Sequence, residues 1–173
     1  MEFLNYEFLG NSVTEYLYFL SSFLIGLLLI IPFRHFISKL LFRLFGKYNN
    51  EDDNKKFNSL LKKPLQYFLT LLVLYFSVQF ISLPEFLSST KDGDFNLVLY
   101  LGKGFNLLLL ITIFWTINRS IDFVGFKLKN NASETESKVD DQLIPFAIDI
   151  AKVLTIVLGV VMILGNVFDV NVT

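Results

Sequence analysis

The stretch YLYFLSSFLIGLLLIIPF, residues 16–33, decides the class of this protein because it is apolar and contains no charged residue. A helix needs about 20 mostly apolar residues to cross the ~30 Å hydrocarbon layer of a bilayer. Three further segments, residues 64–83, 97–124 and 142–168, are apolar over comparable lengths. Core helices of soluble proteins rarely stay apolar on every face for so long. The sequence therefore predicts an all-α membrane protein with four transmembrane helices.

The composition argues against catalysis and against metal binding. The chain has no cysteine and a single histidine, His35, which excludes disulfides, thiolate chemistry and a His-cluster metal site. The polar segments contain no Gly-rich phosphate loop and no nucleophile paired with a base. We therefore expect no enzyme activity, no cofactor and no nucleic-acid partner.

The basic residues indicate how the spans are oriented. Residues 34–63 contain eight Lys and Arg, and residues 119–138 contain four. Only Lys91 and Lys103 lie between the second span and the start of the third, and none precedes the first span. Because connections rich in Lys and Arg stay in the cytoplasm, both termini are predicted to lie outside. The N-terminal segment, residues 1–15, is acidic and lacks the features of a signal peptide, so we expect the first span to remain in the mature protein.

Residues 34–48, RHFISKLLFRLFGKY, show a second helical pattern. Apolar side chains recur at helical spacing from Phe36 to Phe45, while basic side chains four residues apart lie on the opposite face. This predicts an amphipathic basic helix that continues the first span past Pro32 and binds anionic lipid of the inner leaflet. An ordinary basic flank without a lipid role is the alternative. The candidate lipid contacts are Arg34, Lys39, Arg43 and Lys47.

The remaining segments are predicted as connections. Residues 49–63 form a cytoplasmic linker, residues 84–96 an outer loop and residues 125–141 a cytoplasmic loop. Ionisable residues at the ends of the spans have simple explanations. Lys103 can extend its ammonium group to the outer surface, and Asp122 and Lys152 can pair with their neighbours Arg119 and Asp149 or reach the inner surface. A proton or ion relay is the functional alternative.

The segment VDDQLIPFAIDIAKVLTIVLGVVMILGNVFDVNVT, residues 139–173, resembles the region ahead of the pore helix in the small-conductance mechanosensitive channel (MscS) family. An acidic pair leads an entry with proline, a lysine begins a long apolar helix, and an Asn-Val-Thr loop follows. The positions that match are Asp140, Asp141, Leu143, Pro145, Lys152, Gly159, Leu164, Asn171, Val172 and Thr173.

The resemblance implies the lipid-facing, tension-sensing portion of an ion channel that protects bacteria against hypo-osmotic shock. It also implies a bacterial inner membrane, membrane lipids as partners and assembly as a heptamer. In the family, the outer loop at residues 169–173 would lead into a Gly/Ala-rich pore helix and a cytoplasmic β-domain. Neither is in this sequence, so we expect a fragment or truncated chain that does not conduct by itself.

Two other function classes remain open. A stand-alone four-span membrane protein with a structural or partner-binding role has the same topology. A small transporter is the other class, although transporters more often show interrupted helices and polar clusters at the middle of the membrane.

Overall fold

The computed structural model describes residues 6–45, 51–83, 96–132 and 140–170. These residues form four helices, α1 (Val13–Phe45), α2 (Glu51–Val78), α3 (Leu97–Ala132) and α4 (Asp140–Asn166). A short antiparallel hairpin, β1 (Glu7–Phe8) with β2 (Asn11–Ser12), precedes α1. The prediction of an all-α protein is confirmed apart from this hairpin.

Three helical segments are long and apolar enough to cross a membrane: Val13–Ile37, Leu97–Asn130 and Leu143–Asn166. They contain the predicted first, third and fourth spans. The predicted second span is not among them, because α2 ends at Val78 rather than at Leu83. Its uncharged part begins after Lys63 and is only about 20 Å long at 1.5 Å per residue.

The four helices pack as a row in chain order, α1 on α2, α2 on α3 and α3 on α4. Between α1 and α2, the ring of Tyr18 lies near that of Phe80, and the hydroxyl of Ser22 lies 3.3 Å from that of Ser77. As the residue number rises in α1, its partner's number falls in α2. The two helices are therefore antiparallel.

The same relation holds along the rest of the row. The ring of Tyr75 stacks on Phe105, and that of Tyr67 stacks on Trp115, at centroid distances of 6.0 and 6.1 Å. These pairs make α3 antiparallel to α2. Contacts described below make α4 antiparallel to α3 as well. Helices α1 and α3 consequently run in the same direction.

The segments predicted as cytoplasmic connections are partly helical. Residues 51–63 form the first part of α2, α3 continues to Ala132, and α4 begins at Asp140. The reason on α2 is its apolar spacing, since Phe57, Leu61 and Leu65 lie four residues apart and are almost completely buried. Phe57 and Leu61 form a buried hydrophobic cluster with Phe123 of α3.

The N-terminal hairpin connects directly to α1. Leu9 and Gly10 both have positive φ angles, 51° and 80°, as a two-residue turn of type I′ requires. Ser12 then begins the helix with a capping box. Its backbone N–H donates to Glu15 Oε2 at 2.6 Å, and the Glu15 N–H donates back to Ser12 Oγ at 3.3 Å.

Asn11 attaches this hairpin to the far end of α2. Its side-chain amide donates to the backbone carbonyl of Ser82 at 2.7 Å, and the Ser82 N–H donates to Asn11 Oδ1 at 2.7 Å. Asn11 is only 1% exposed. One buried side chain thus satisfies both backbone groups of a residue that follows α2.

We expect Asn11→Ala to speed hydrogen exchange of the Ser82 amide about tenfold or more, because each lost bond is worth about 1 kcal/mol. Asn58→Ala is the matched control, since the Asn58 amide bonds only within its own helix, to the carbonyl of Asn54. An unchanged exchange rate at Ser82 in Asn11→Ala would contradict this description of the attachment.

Large apolar side chains are exposed along the outer faces of the row. On α1 they include Leu24, Ile25 and Leu28, and on α4 they include Val153 and Leu158, all more than half exposed. Soluble monomers rarely expose continuous apolar surface of this extent. The arrangement is that of a membrane-embedded protein.

Candidate functional site

The predicted lipid contacts lie on the last part of α1. The helix continues through Pro32 to Phe45, so the apolar segment and the basic segment form one continuous element. Lys39 and Arg43 are exposed and Arg34 is half-buried. Lys47 lies outside the described residues. We call the end of the row at which α1 and α3 end and α2 and α4 begin the basic end.

The positions that carry the family resemblance are distributed along the whole of α4. Asp140 and Asp141 are its first two residues, where the positive end of the helix dipole stabilises negative charge. Leu143 and Pro145 follow and are exposed. Leu164 lies near the other end of the helix, and residues 171–173 lie outside the described residues. The structure does not gather these positions into one site.

Gly159 has a packing role between α3 and α4. A Cβ atom at this position would lie 3.0–3.2 Å from three ring atoms of Phe114. The glycine therefore permits close contact of the two helices, as small residues do in membrane proteins.

Asp122 is the centre of an ionic contact between α3 and α4. Arg119 Nη1 donates to Asp122 Oδ2 at 3.1 Å, in agreement with the predicted pair. The Lys152 ammonium lies 2.8 Å from Asp122 Oδ1. The predicted pair of Asp149 with Lys152 does not form, because Lys152 reaches across to α3 while Asp149 remains exposed.

A second ion pair joins α3 and α4 at the opposite end of the row. The Lys103 ammonium lies 2.5 Å from Asp169 Oδ2, just beyond the end of α4. Lys103 and Asp122 are about 28 Å apart along α3 at 1.5 Å per residue. This distance is close to the thickness of the hydrocarbon layer. The two ion pairs therefore bracket a length of α3 and α4 that matches a bilayer.

A third ion pair is buried near the basic end. Lys127 Nζ of α3 lies 2.5 Å from Asp53 Oδ2 of α2, and both side chains are only 5% exposed. One turn away, the rings of Phe57 and Phe123 meet edge to face at 5.4 Å. Sequence reasoning missed this pair because it assigned Asp53 to a linker. The signal available was the four-residue spacing of Asp53, Phe57 and Leu61.

An apolar groove of about 580 Å³ lies between α3 and α4. Both helices contribute almost exclusively hydrocarbon to its walls, including Ile117, Ile121 and Val124 from α3 and Leu143 and Ala147 from α4. The groove extends to both sides of the height of Asp122, and its hydrocarbon walls suit an acyl chain or an apolar side chain.

Within residues 6–45, 51–83, 96–132 and 140–170, no three His, Asp or Glu side chains are placed to hold a metal ion. Comparison with protein-family models, with curated proteins and with solved structures finds no match for this chain.

Proposed function

We propose that this chain is the lipid-facing, tension-sensing membrane portion of a mechanosensitive ion channel of the MscS type. The observation that carries the proposal is the open row of four antiparallel helices, whose apolar outer faces are exposed along α1 and α4. A row exposes more of its surface to lipid than a closed bundle of the same helices. Its cross-section in the bilayer can therefore respond to the state of the surrounding lipid.

The proposal includes α2 as a fourth span, and the direction of the helices supports this. α1 and α3 both contact α2 in an antiparallel sense and so run in the same direction. If both cross the membrane, the chain between them has to cross back. α2 is the helix in that interval, and it packs between α1 and α3.

The proposal places the basic end in the cytoplasm, and the heights of the charged residues support this. Helices rise 1.5 Å per residue, and the observed contacts set basic residues of all four helices, two of them on α2, close to the same height. We call this set the basic belt. It consists of Arg34, Lys62, Lys63, Arg119 and Lys152. Positive residues collect on the cytoplasmic side of membrane proteins.

The mechanism that we propose needs no catalysis. Membrane tension favours the conformation with the larger area in the bilayer plane, and a ligand or a force shifts an equilibrium only by its differential interaction with the two states. The two ion pairs between α3 and α4 hold these helices together at both ends of their apolar length. The two helices would then tilt as one body, and lipid would enter or leave the apolar groove between them.

The last part of α1 is proposed to couple the row to the inner leaflet. We expect Lys39→Gln, Arg43→Gln and Lys47→Gln together, in the natural gene product, to change the membrane tension at which the channel opens. Each basic residue near an anionic surface is worth about 1 kcal/mol. Patch recording at controlled pressure measures the opening tension, and Lys55→Gln, on the exposed start of α2, is the single-charge control. An unchanged opening tension in the triple variant would refute the coupling.

Survival of hypo-osmotic shock tests the function itself. A bacterial strain that lacks its mechanosensitive channels should survive dilution when it expresses the natural gene product. Survival equal to that of the empty-vector strain, with normal amounts of the protein in the membrane, would favour the second candidate. That candidate is a stand-alone four-span protein with a structural or partner-binding role, which the row of helices also allows.

A further inference from the structure

A cleft of about 420 Å³, with charged side chains among apolar ones, lies where α2, α3 and α4 meet, near the basic end. Its floor contains Gly125 and Phe126 of α3 and Ile148 of α4. Lysines from all three helices line it: Lys56 from α2, Lys129 from α3 and Lys152 from α4. It lies on the other side of the α3–α4 contact from the apolar groove, because it presents a different face of α3.

The lysines are not all neutralised by the carboxylates of the cleft. Lys152 is paired with Asp122, which Arg119 also contacts. Lys56 and Lys129 are exposed, and within the described parts of the chain neither has an ion pair.

Two groups that line the cleft beside these lysines, Phe126 and Asp149, have different effects on the binding of an anion. The ammonium of Lys56 lies 5.5 Å from the ring centroid of Phe126, which positions it over the cleft. Asp149 is exposed, and it is the one carboxylate lining the cleft that has no cationic partner among the described residues. Its negative charge would repel a bound anion. The cleft therefore has an unbalanced positive charge.

The cleft begins at the height of the basic belt and extends toward the basic end. Lys152 belongs to the belt, and Lys56 lies about 9 Å beyond Lys62 along α2 at 1.5 Å per residue. The polar layer of a bilayer extends about 5–8 Å beyond each side of its hydrocarbon. The Lys56 ammonium lies over Phe126, about 6 Å beyond Asp122 along α3, which is the depth of the lipid phosphates. Lys129 lies about 10 Å beyond Asp122, just outside this layer.

We propose that this cleft binds a phosphate group, held by Lys56, Lys129 and Lys152, and that its source is the headgroup of an anionic phospholipid. A lysine binds phosphate as a compact point charge, and three lysines from three helices line this one cleft. A bound headgroup would join α2, α3 and α4 at the membrane surface. The proposal requires a membrane-embedded chain but does not depend on channel activity.

The test uses the 173-residue chain purified in a neutral detergent. Native mass spectrometry measures the retention of phosphatidylglycerol and of phosphatidylcholine at equal concentrations, and a parallel titration uses inorganic phosphate without lipid. We expect selective retention of phosphatidylglycerol. Retention should fall about tenfold or more in the double variant Lys56→Gln/Lys129→Gln and rise in Asp149→Asn.

The matched control is Lys55→Gln, which removes the same charge from the neighbouring residue on α2, outside the cleft. Its retention should equal that of the unmodified chain. Binding of inorganic phosphate that the double variant abolishes would support the site and identify a soluble anion as its source. Equal retention of the two lipids, or equal losses in Lys55→Gln and in the double variant, would overturn the proposal.

Retained folding is checked by circular dichroism, and Asp149→Asn gives an independent readout because it is expected to strengthen binding. A folded Asp149→Asn variant with weaker retention would also contradict the site.

Discussion

Lys127→Ala should lower the free energy of unfolding by about 3–5 kcal/mol, among the largest effects expected of a single substitution in this chain. It would leave the Asp53 carboxylate, 5% exposed, buried without its ionic partner. Removing one partner of a buried ion pair costs this much because an uncompensated charge remains in the interior. Reversible unfolding in mixed detergent micelles measures the change.

Replacing both partners distinguishes the contribution of the ion pair to stability from the contribution of the surrounding packing. Asp53→Val together with Lys127→Met puts apolar side chains on both sides of the contact, and we expect most of the lost stability to return. The exposed pair Glu51–Lys55, with side chains 92% and 73% exposed and 3.6 Å apart, is the control. Lys55→Ala should change stability by no more than about 0.5 kcal/mol. Equal effects of Lys127→Ala and Lys55→Ala would contradict the buried pair.

Gly26→Ala should destabilise the contact between α1 and α2 by about 1–3 kcal/mol. A Cβ atom at Gly26 would lie 2.4 Å and 2.9 Å from the two methyl carbons of Val73 and 3.2 Å from its Cβ. A β-branched side chain is restricted about χ1, so no rotation of Val73 clears all three contacts. The helices must separate, and overpacking of this kind carries such a cost.

Gly104→Ala is the matched control, because a Cβ atom there meets nothing within 4 Å. Alanine favours the helix over glycine, so this variant should be unchanged or more stable by up to about 1 kcal/mol. Val73→Ala should partly restore stability in the Gly26→Ala background and should cost stability by itself. Gly26→Ala as stable as Gly104→Ala in the same unfolding assay would rule out the close approach.

The helical class and the three candidate spans could be predicted from the sequence because they depend on local composition. Residues 16–33 and 142–168 are apolar over a length that only a membrane or a large core accommodates. The end of α2 was placed too late, at Leu83 instead of Val78. The apolar composition continues past Val78, and composition does not mark where the backbone leaves the helix.

The ionic contacts could be predicted only where the partners are neighbours in the chain. Arg119 and Asp122 are three residues apart, and helical geometry alone brings them together. Asp53 and Lys127 are separated by nearly all of α2 and most of α3, and only the packing of the two helices joins them. The sequence paired Lys152 with its neighbour Asp149, but the packing of α4 on α3 brings its ammonium group to Asp122 instead.

Single-cysteine labelling tests the central claim most directly, and the absence of natural cysteines makes the experiment clean. An impermeant maleimide added to intact cells should label Tyr6→Cys, Val170→Cys and Ser88→Cys, the last in the predicted outer loop outside the described residues. Lys55→Cys should react only after the membrane is permeabilised. Labelling of Lys55→Cys in intact cells, or of Ser88→Cys only after permeabilisation, would contradict a four-span chain with its basic end in the cytoplasm.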